Sequence, residues 1–183
     1  WLGSGELAAP ARYSFPRTPL PAATRRPRIP AAGGRSLARG TRLKLLCVAD
    51  MHLGRFPARL HPDLLPLASE LGPAAAWRKA VDRALAEGVD AVLLAGDLVD
   101  GGDDFFEAYA DLRAGVERLT AAGVTVVAVA GNHDVEVLPR LAEAVPGLRL
   151  LGRGGRWETC DLEAGGARVR VAGWSFPRRW VDA

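Results

Sequence analysis

The chain has 183 residues, 49% apolar and 25% charged, which is ordinary for a globular protein and enough for one domain with a sizeable core. Its net charge of +3 is uneven. Residues 1–40 hold seven Arg and one acid, Glu6, so that segment carries +6 and the remainder −3, and the high pI says nothing about a basic binding face on the folded part.

No apolar stretch approaches the ~20 residues of a membrane-spanning helix, and the first residues lack a secretory apolar core. The two cysteines, Cys47 and Cys160, form no CxxC pattern or disulfide framework. Cys47 lies in an apolar run and is expected to be a buried free thiol. These features predict a cytoplasmic protein with no membrane contact. A chain that begins with Trp is expected to be a fragment or a processed product.

Residues 1–41 combine six prolines with scattered Gly, Ser and Arg, and are expected to form a disordered basic tail. Residues 42–183 are expected to hold the folded part. "LKLLCVA" (43–49) predicts a buried strand. "HLGRFPARLHPDLLPLASELG" has three prolines and no clean period, and reads as a long connection. "PAAAWRKAVDRALAEG" (73–88) predicts a helix, with Pro at its start and Gly at its end. "VDAVLLAG" (89–96) predicts a second buried strand. "DDFFEAYADLRAGVERLTAAG" (103–123) predicts a second helix, with Asp103 and Asp104 as acids of its first turn. "VTVVAVAG" (124–131) predicts a third buried strand, and "EVLPRLAEAV" (136–145) a short helix disturbed by Pro139. "LRLLG", "RWETCDLEAG" and "ARVRVAGWSF" are strand-like, with "EAGG" (163–166) as a hairpin turn. Trp174 and Trp180 are expected to pack. Apolar strands alternating with amphipathic helices predict an α/β fold, a parallel sheet with helices on both faces.

Ligands of such sheets sit beyond the carboxyl ends of the strands. Here three strands end in chemistry: "DMH" (Asp50, His52), "GDLVD" (Asp97, Asp100) and "GNHD" (Asn132, His133, Asp134). Asp50 and His52 are two apart and would share one side of an extended chain. Carboxylate, imidazole and amide oxygen suit a hard-to-borderline divalent ion such as Mn²⁺, Fe²⁺ or Zn²⁺. Gly96 and Gly131 allow tight turns that bring the following side chain to an ion. Arg55 is a candidate phosphate contact or a surface arginine, His61 a solvated loop histidine, and Phe105, Phe106 and Tyr109 core or a partner face.

The set D-x-H, GDxxD and GNHD resembles the calcineurin-like metallophosphoesterases. "ADMHLGR" (49–55), with "GDLVD" and "FFEAY", is most similar to the SbcD/Mre11-type DNA-repair exonuclease branch, over residues 43–176. The resemblance implies a layered αββα sandwich, of which this chain would be the N-terminal portion, incomplete at its C-terminus. It implies two divalent metal ions, with Mn²⁺ foremost. Asp50 and His52 would bind the first, Asp97 would bridge, and Asn132 would bind the second. His133 would face the scissile phosphate and Asp100 would hold its imidazole. The family completes its site with further histidines, including a terminal "GHxH", and this sequence has only His52, His61 and His133. The activity implied is two-metal phosphodiester hydrolysis with DNA as substrate, as a repair exonuclease or endonuclease subunit, with an SMC-like ATPase as partner. Two other readings stay open: a phosphoesterase for nucleotides or other small phosphoesters, and a non-catalytic fragment.

Overall fold

The computed structural model describes residues 42–55, 60–101, 105–164 and 166–180. The expected tail, residues 1–41, and the acids Asp103 and Asp104 lie outside the described residues. Four short strands form one parallel sheet: β1 (Leu45–Val48), β2 (Ala91–Ala95), β3 (Thr125–Val129) and β4 (Leu148–Leu150), side by side in that order. Their register is direct, Leu45 against Ala91, Ala91 against Thr125 and Val126 against Leu148. The connections are a 3-10 helix (Pro62–Leu67) running into α1 (Ala68–Leu71), then α2 (Pro73–Glu87), α3 (Phe105–Ala121) and α4 (Leu138–Ala144). An antiparallel hairpin of β5 (Glu158–Ala164) and β6 (Ala167–Gly173) forms a second sheet.

Period-two alternation sorts the sheet residues between two cores. Val92, Leu94, Val126 and Ala128 face the helices and join one cluster with Trp77 and Val81 of α2, Leu112 and Val116 of α3, and Leu138 and Leu141 of α4. Ala91 and Val127 face the other way and join Cys160 and Leu162 of the hairpin in a smaller cluster. The fold is therefore α/β, a parallel sheet flanked by helices. A β layer, rather than more helices, covers the second face where the smaller cluster lies, which is why both faces read as apolar.

The hairpin cluster draws on β2, β3 and the residues beyond β4, but not on β1 itself. Cys47 is accordingly exposed, and Leu45 is 36% exposed, whereas Leu46 and Val48 pack toward the helices. The expectation of a buried Cys47 fails because the hairpin cluster does not extend over β1; Cys160, on the hairpin, is the buried thiol. Pro139 does not disturb its helix. It lies in the first turn of α4, where its missing N–H has no partner to lose. The proline-rich connection is not irregular throughout, since Pro62 and Pro66 sit in the 3-10 helix. Trp174 packs its ring 5.0 Å from that of Phe176, but Trp180 is 76% exposed and packs little. Phe105 and Tyr109 are partly buried against the helix-side core with rings stacked 6.1 Å apart, while Phe106 is 80% exposed.

Helices α2 and α3 meet at a glycine. A Cβ on Gly115 would stand 2.3 Å from Trp77 Nε1, and that nitrogen donates to the Asp111 carbonyl at 2.9 Å. Alanine at a helix interior gains up to ~1 kcal/mol over glycine. Overpacking a rigid, fully buried indole costs about 1–3 kcal/mol. The steric term wins, so Gly115→Ala is expected to lower stability. Urea unfolding checks this, and an unchanged or raised midpoint would show that the indole can move aside.

Candidate metal centre

The three sequence motifs leave the sheet at the same edge, and the backbone continues the parallel pairing beyond the strands. Asp50 N donates to Gly96 O at 3.2 Å, His52 N to Asp97 O at 3.0 Å and Leu53 N to Leu98 O at 2.6 Å. Leu53 and Val99 form a parallel bridge and are fully buried. The loops after β1 and β2 thus run side by side over apolar anchors, with polar side chains between the anchors turned outward.

The backbone at these polar residues is unusual. Among the described residues, the only non-glycines with positive φ are Asp50 (53°), His52 (48°) and Asp97 (51°). Left-handed backbone disfavours L-residues and clusters where a structure over-determines it. Asp50 and His52 therefore do not share a face by simple extended alternation; left-handed turns at both bring them together. Ligand atoms of Asp50, His52 and Asp97 lie within 4.8 Å of one another.

The loop after β3 closes on this group. A Cβ on Gly131 would fall 2.0 Å from Asp97 Oδ1, and one on Gly96 would fall 3.1 Å from the Gly131 backbone. Only glycine at both positions allows such an approach. His133 N donates to Asp97 Oδ1 at 3.1 Å. Asn132 is half-buried in the same turn. The His133 ring lies 5.5 Å from that of His52, edge to face.

Asp100 stands between the two rings. Its Oδ1 is 3.2 Å from His52 Nδ1 and 3.0 Å from His133 Nδ1. These separations suit ion pairing, but the directions do not align, and all three atoms are buried without a hydrogen-bond partner. The second oxygen, Oδ2, pairs with Arg55 Nη2. Asp100 therefore lies within ion-pairing distance of both histidines and pairs with Arg55, where the resemblance implied His133 alone. Arg55 is paired with a carboxylate and remains 58% exposed. His61 pairs with Asp63 at 3.2 Å, both largely exposed, as a loop histidine would.

The residues present fit a divalent cation. Two carboxylates and an imidazole converge, and Asp97 spends one oxygen on an amide and keeps the other. Nδ1 of His52 faces a carboxylate, which leaves Nε2 for a ligand, the usual arrangement around a metal-bound histidine. Asn132, in the turn whose Gly131 abuts Asp97, could offer a further amide oxygen.

Asp134 is the group that sequence reading left without a role. It is fully buried, and burial pushes its carboxyl up to about 6, against the opposing effect of backbone N–H groups that donate to it. Its place inside "GNHD" was the available signal. Ser175 had none: its buried Oγ accepts from Ala130 N at 2.8 Å and donates to the Leu151 carbonyl, tying the ends of β3 and β4.

Loops at the carboxyl edge of a parallel sheet that bring aspartate and histidine ligand atoms within 4.8 Å of one another, with asparagine in the adjoining turn, define a candidate site for a divalent cation. Residues 43–177 match the family profile for calcineurin-like phosphoesterases, and the chain belongs to that family. It is 35% identical over 96 residues to the uncharacterized metallophosphoesterase YhaO of Bacillus subtilis, covering 51% of this chain and 24% of that protein. Among solved structures it is similar to a dimetal phosphatase from Danio rerio, with 25% identity, a TM-score of 0.39, and coverage of 55% of this chain and 33% of that one. It is also similar to the nuclease MPE of Pseudomonas putida, with 22% identity, a TM-score of 0.40, and coverage of 58% and 46%. The chain thus spans less than half the length of each of these proteins. No helix among the described residues is long and apolar enough to cross a membrane.

Proposed function

We propose that this chain carries the substrate-cleaving site of a two-metal phosphodiesterase, and that its substrate is DNA, as in a repair exonuclease or endonuclease subunit. The observation that carries the hydrolytic part is the convergence of Asp50, His52 and Asp97 within 4.8 Å, with His133 beside them. Asp50, His52 and Asp97 would hold one ion, and Asp97 and Asn132 a second. Such ions, Mn²⁺, Fe²⁺ or Zn²⁺, would supply neutralisation of phosphate charge and a more acidic water. His133 faces the scissile phosphate and stabilises charge or gives a proton to the leaving oxygen. Asp100 orients that imidazole and, at the same time, the ring of His52. The DNA reading rests on "DMHLGR" and its likeness to the repair-nuclease branch. With it come a cytoplasmic location and an SMC-like ATPase partner.

One observation favours a second reading for the chain on its own. Among the described residues the second ion has only Asp97 and Asn132, one shared carboxylate and one neutral amide. Such an ion binds weakly. The 183-residue chain is then a one-ion protein with little activity at ordinary metal levels.

Mn²⁺-dependent hydrolysis of bis-p-nitrophenyl phosphate, followed by single-stranded DNA against cyclic nucleotides, tests both readings. Activity should be absent without metal, low at micromolar Mn²⁺, higher once the weak site fills, and directed to DNA. A preference for cyclic nucleotides would move the assignment to small phosphoesters. No hydrolysis at any Mn²⁺ concentration would make the chain a non-catalytic module.

A further inference from the structure

We propose that Asp134 is a positioning residue that locks the loop bearing Asp97 to the loop bearing Asn132 and His133, and so sets the metal affinity of a site it does not touch. This rests on the metal reading above. Asp134 and Ser175 are the buried polar side chains among the described residues, and Asp134 is fully enclosed. Both of its carboxylate oxygens are spent on backbone. Oδ1 accepts from Gly131 N at 2.7 Å, within its own loop, and Oδ2 accepts from Leu98 N at 2.7 Å, in the neighbouring loop. Its own carbonyl accepts from Val137 N at 3.1 Å and Leu138 N at 2.7 Å, which fixes it to the start of α4.

The strap is reciprocal. The side chain of Asp134 holds the backbone next to Asp97, and the side chain of Asp97 holds the backbone of His133 next to Asp134 at 3.1 Å. Between them the loops touch so closely that Gly131 has no room for a Cβ. Asp97 sits inside this clasp with φ at 51°, a conformation its surroundings must impose.

A buried carboxylate without a cation is expensive. Among the described residues no basic side chain pairs with Asp134. A carboxylate is nonetheless suited to the place, because it offers acceptors on both arms and no donor. An amide of the same shape would turn an NH₂ toward one of the two N–H groups, leaving that donor unpaired.

The test uses the 183-residue chain and four forms: wild type, Asp134→Asn, the smaller Asp134→Ser, and Leu112→Ala. The last empties the helix-side core at a residue of α3 that makes no hydrogen bond to the loops, and controls for general destabilisation. Amide exchange by NMR is measured without metal, and Mn²⁺ affinity by calorimetry at a temperature where every form is folded. In both Asp134 variants the Leu98 and Gly131 amides should exchange faster than wild type by about tenfold or more relative to Val126 and Ala128 in β3. Mn²⁺ affinity should fall about 10–100-fold, the range for partners that hold ligands without being ligands. Leu112→Ala should speed all these amides together and leave affinity at the wild-type value. Unchanged Leu98 exchange in either Asp134 variant overturns the proposal, and so does an equal affinity loss in Leu112→Ala. A wild-type chain that binds no Mn²⁺ overturns the metal reading and the affinity claim, while the exchange result still decides the strap.

Discussion

Asp97→Asn is expected to reduce Mn²⁺ affinity by about 100-fold or more, since loss of a direct ligand should exceed the ~10–100-fold typical of outer partners. The fold should survive. Asparagine keeps an Oδ1 for the His133 amide, which the present carboxylate accepts at 3.1 Å, and so keeps that half of the clasp between loops. What is lost is the charge on the other oxygen, the one both ions would share. The metal-free form should even gain, because Asp97 adds to the unfavourable environment of the buried Asp134. Calorimetric Mn²⁺ titration beside thermal unfolding checks this: weaker binding with an equal or higher transition. Wild-type affinity would remove Asp97 from the site, and a collapsed transition would show that its charge is structural.

His133→Ala separates catalysis from binding. An oriented acid contributes typically ~10²–10⁴-fold, so Mn²⁺-dependent turnover should fall by about that factor while metal affinity stays near wild type. Asp100→Asn should differ from it in kind. Its Oδ1 lies 3.2 Å from His52 Nδ1 as well as 3.0 Å from His133 Nδ1. Loss of its charge should therefore lower turnover and also weaken metal binding, by about tenfold. Equal loss of metal in His133→Ala would make His133 a ligand. Unchanged affinity in Asp100→Asn would confine Asp100 to His133.

The frame of the fold was legible because its signals are local. Pro73 opens α2 and Gly88 closes it with φ at 58°, as the punctuation predicts. The strand–helix alternation forces parallel strands and puts the three motifs at one edge. Strands β5 and β6, on either side of the expected hairpin turn, pair antiparallel, Ala164 against Ala167. What escaped depends on neighbours distant in sequence. Exposure of Cys47 follows from how far the hairpin cluster reaches across the sheet, which no local window reports. Backbone at Asp50, His52 and Asp97 is left-handed against residue preference, so propensity points the wrong way where the site is built. The engagement of Arg55 with Asp100, and of Asp134 with Leu98, joins residues 45 and 36 positions apart. Motif reading named these carboxylates, and the resemblance set Asp100 beside His133, but neither pointed to Arg55 or Leu98 as partners.

The most direct measurement is anomalous diffraction from crystals of this chain soaked in Mn²⁺. The strongest peak should fall between Asp50, His52 and Asp97, whose ligand atoms already lie within 4.8 Å of one another, with any second peak weaker and on the Asn132 side of Asp97. A map with no peak at these residues, or with its strongest peak elsewhere, such as at the exposed His61–Asp63 pair, would contradict the assignment of this edge of the sheet as the metal centre.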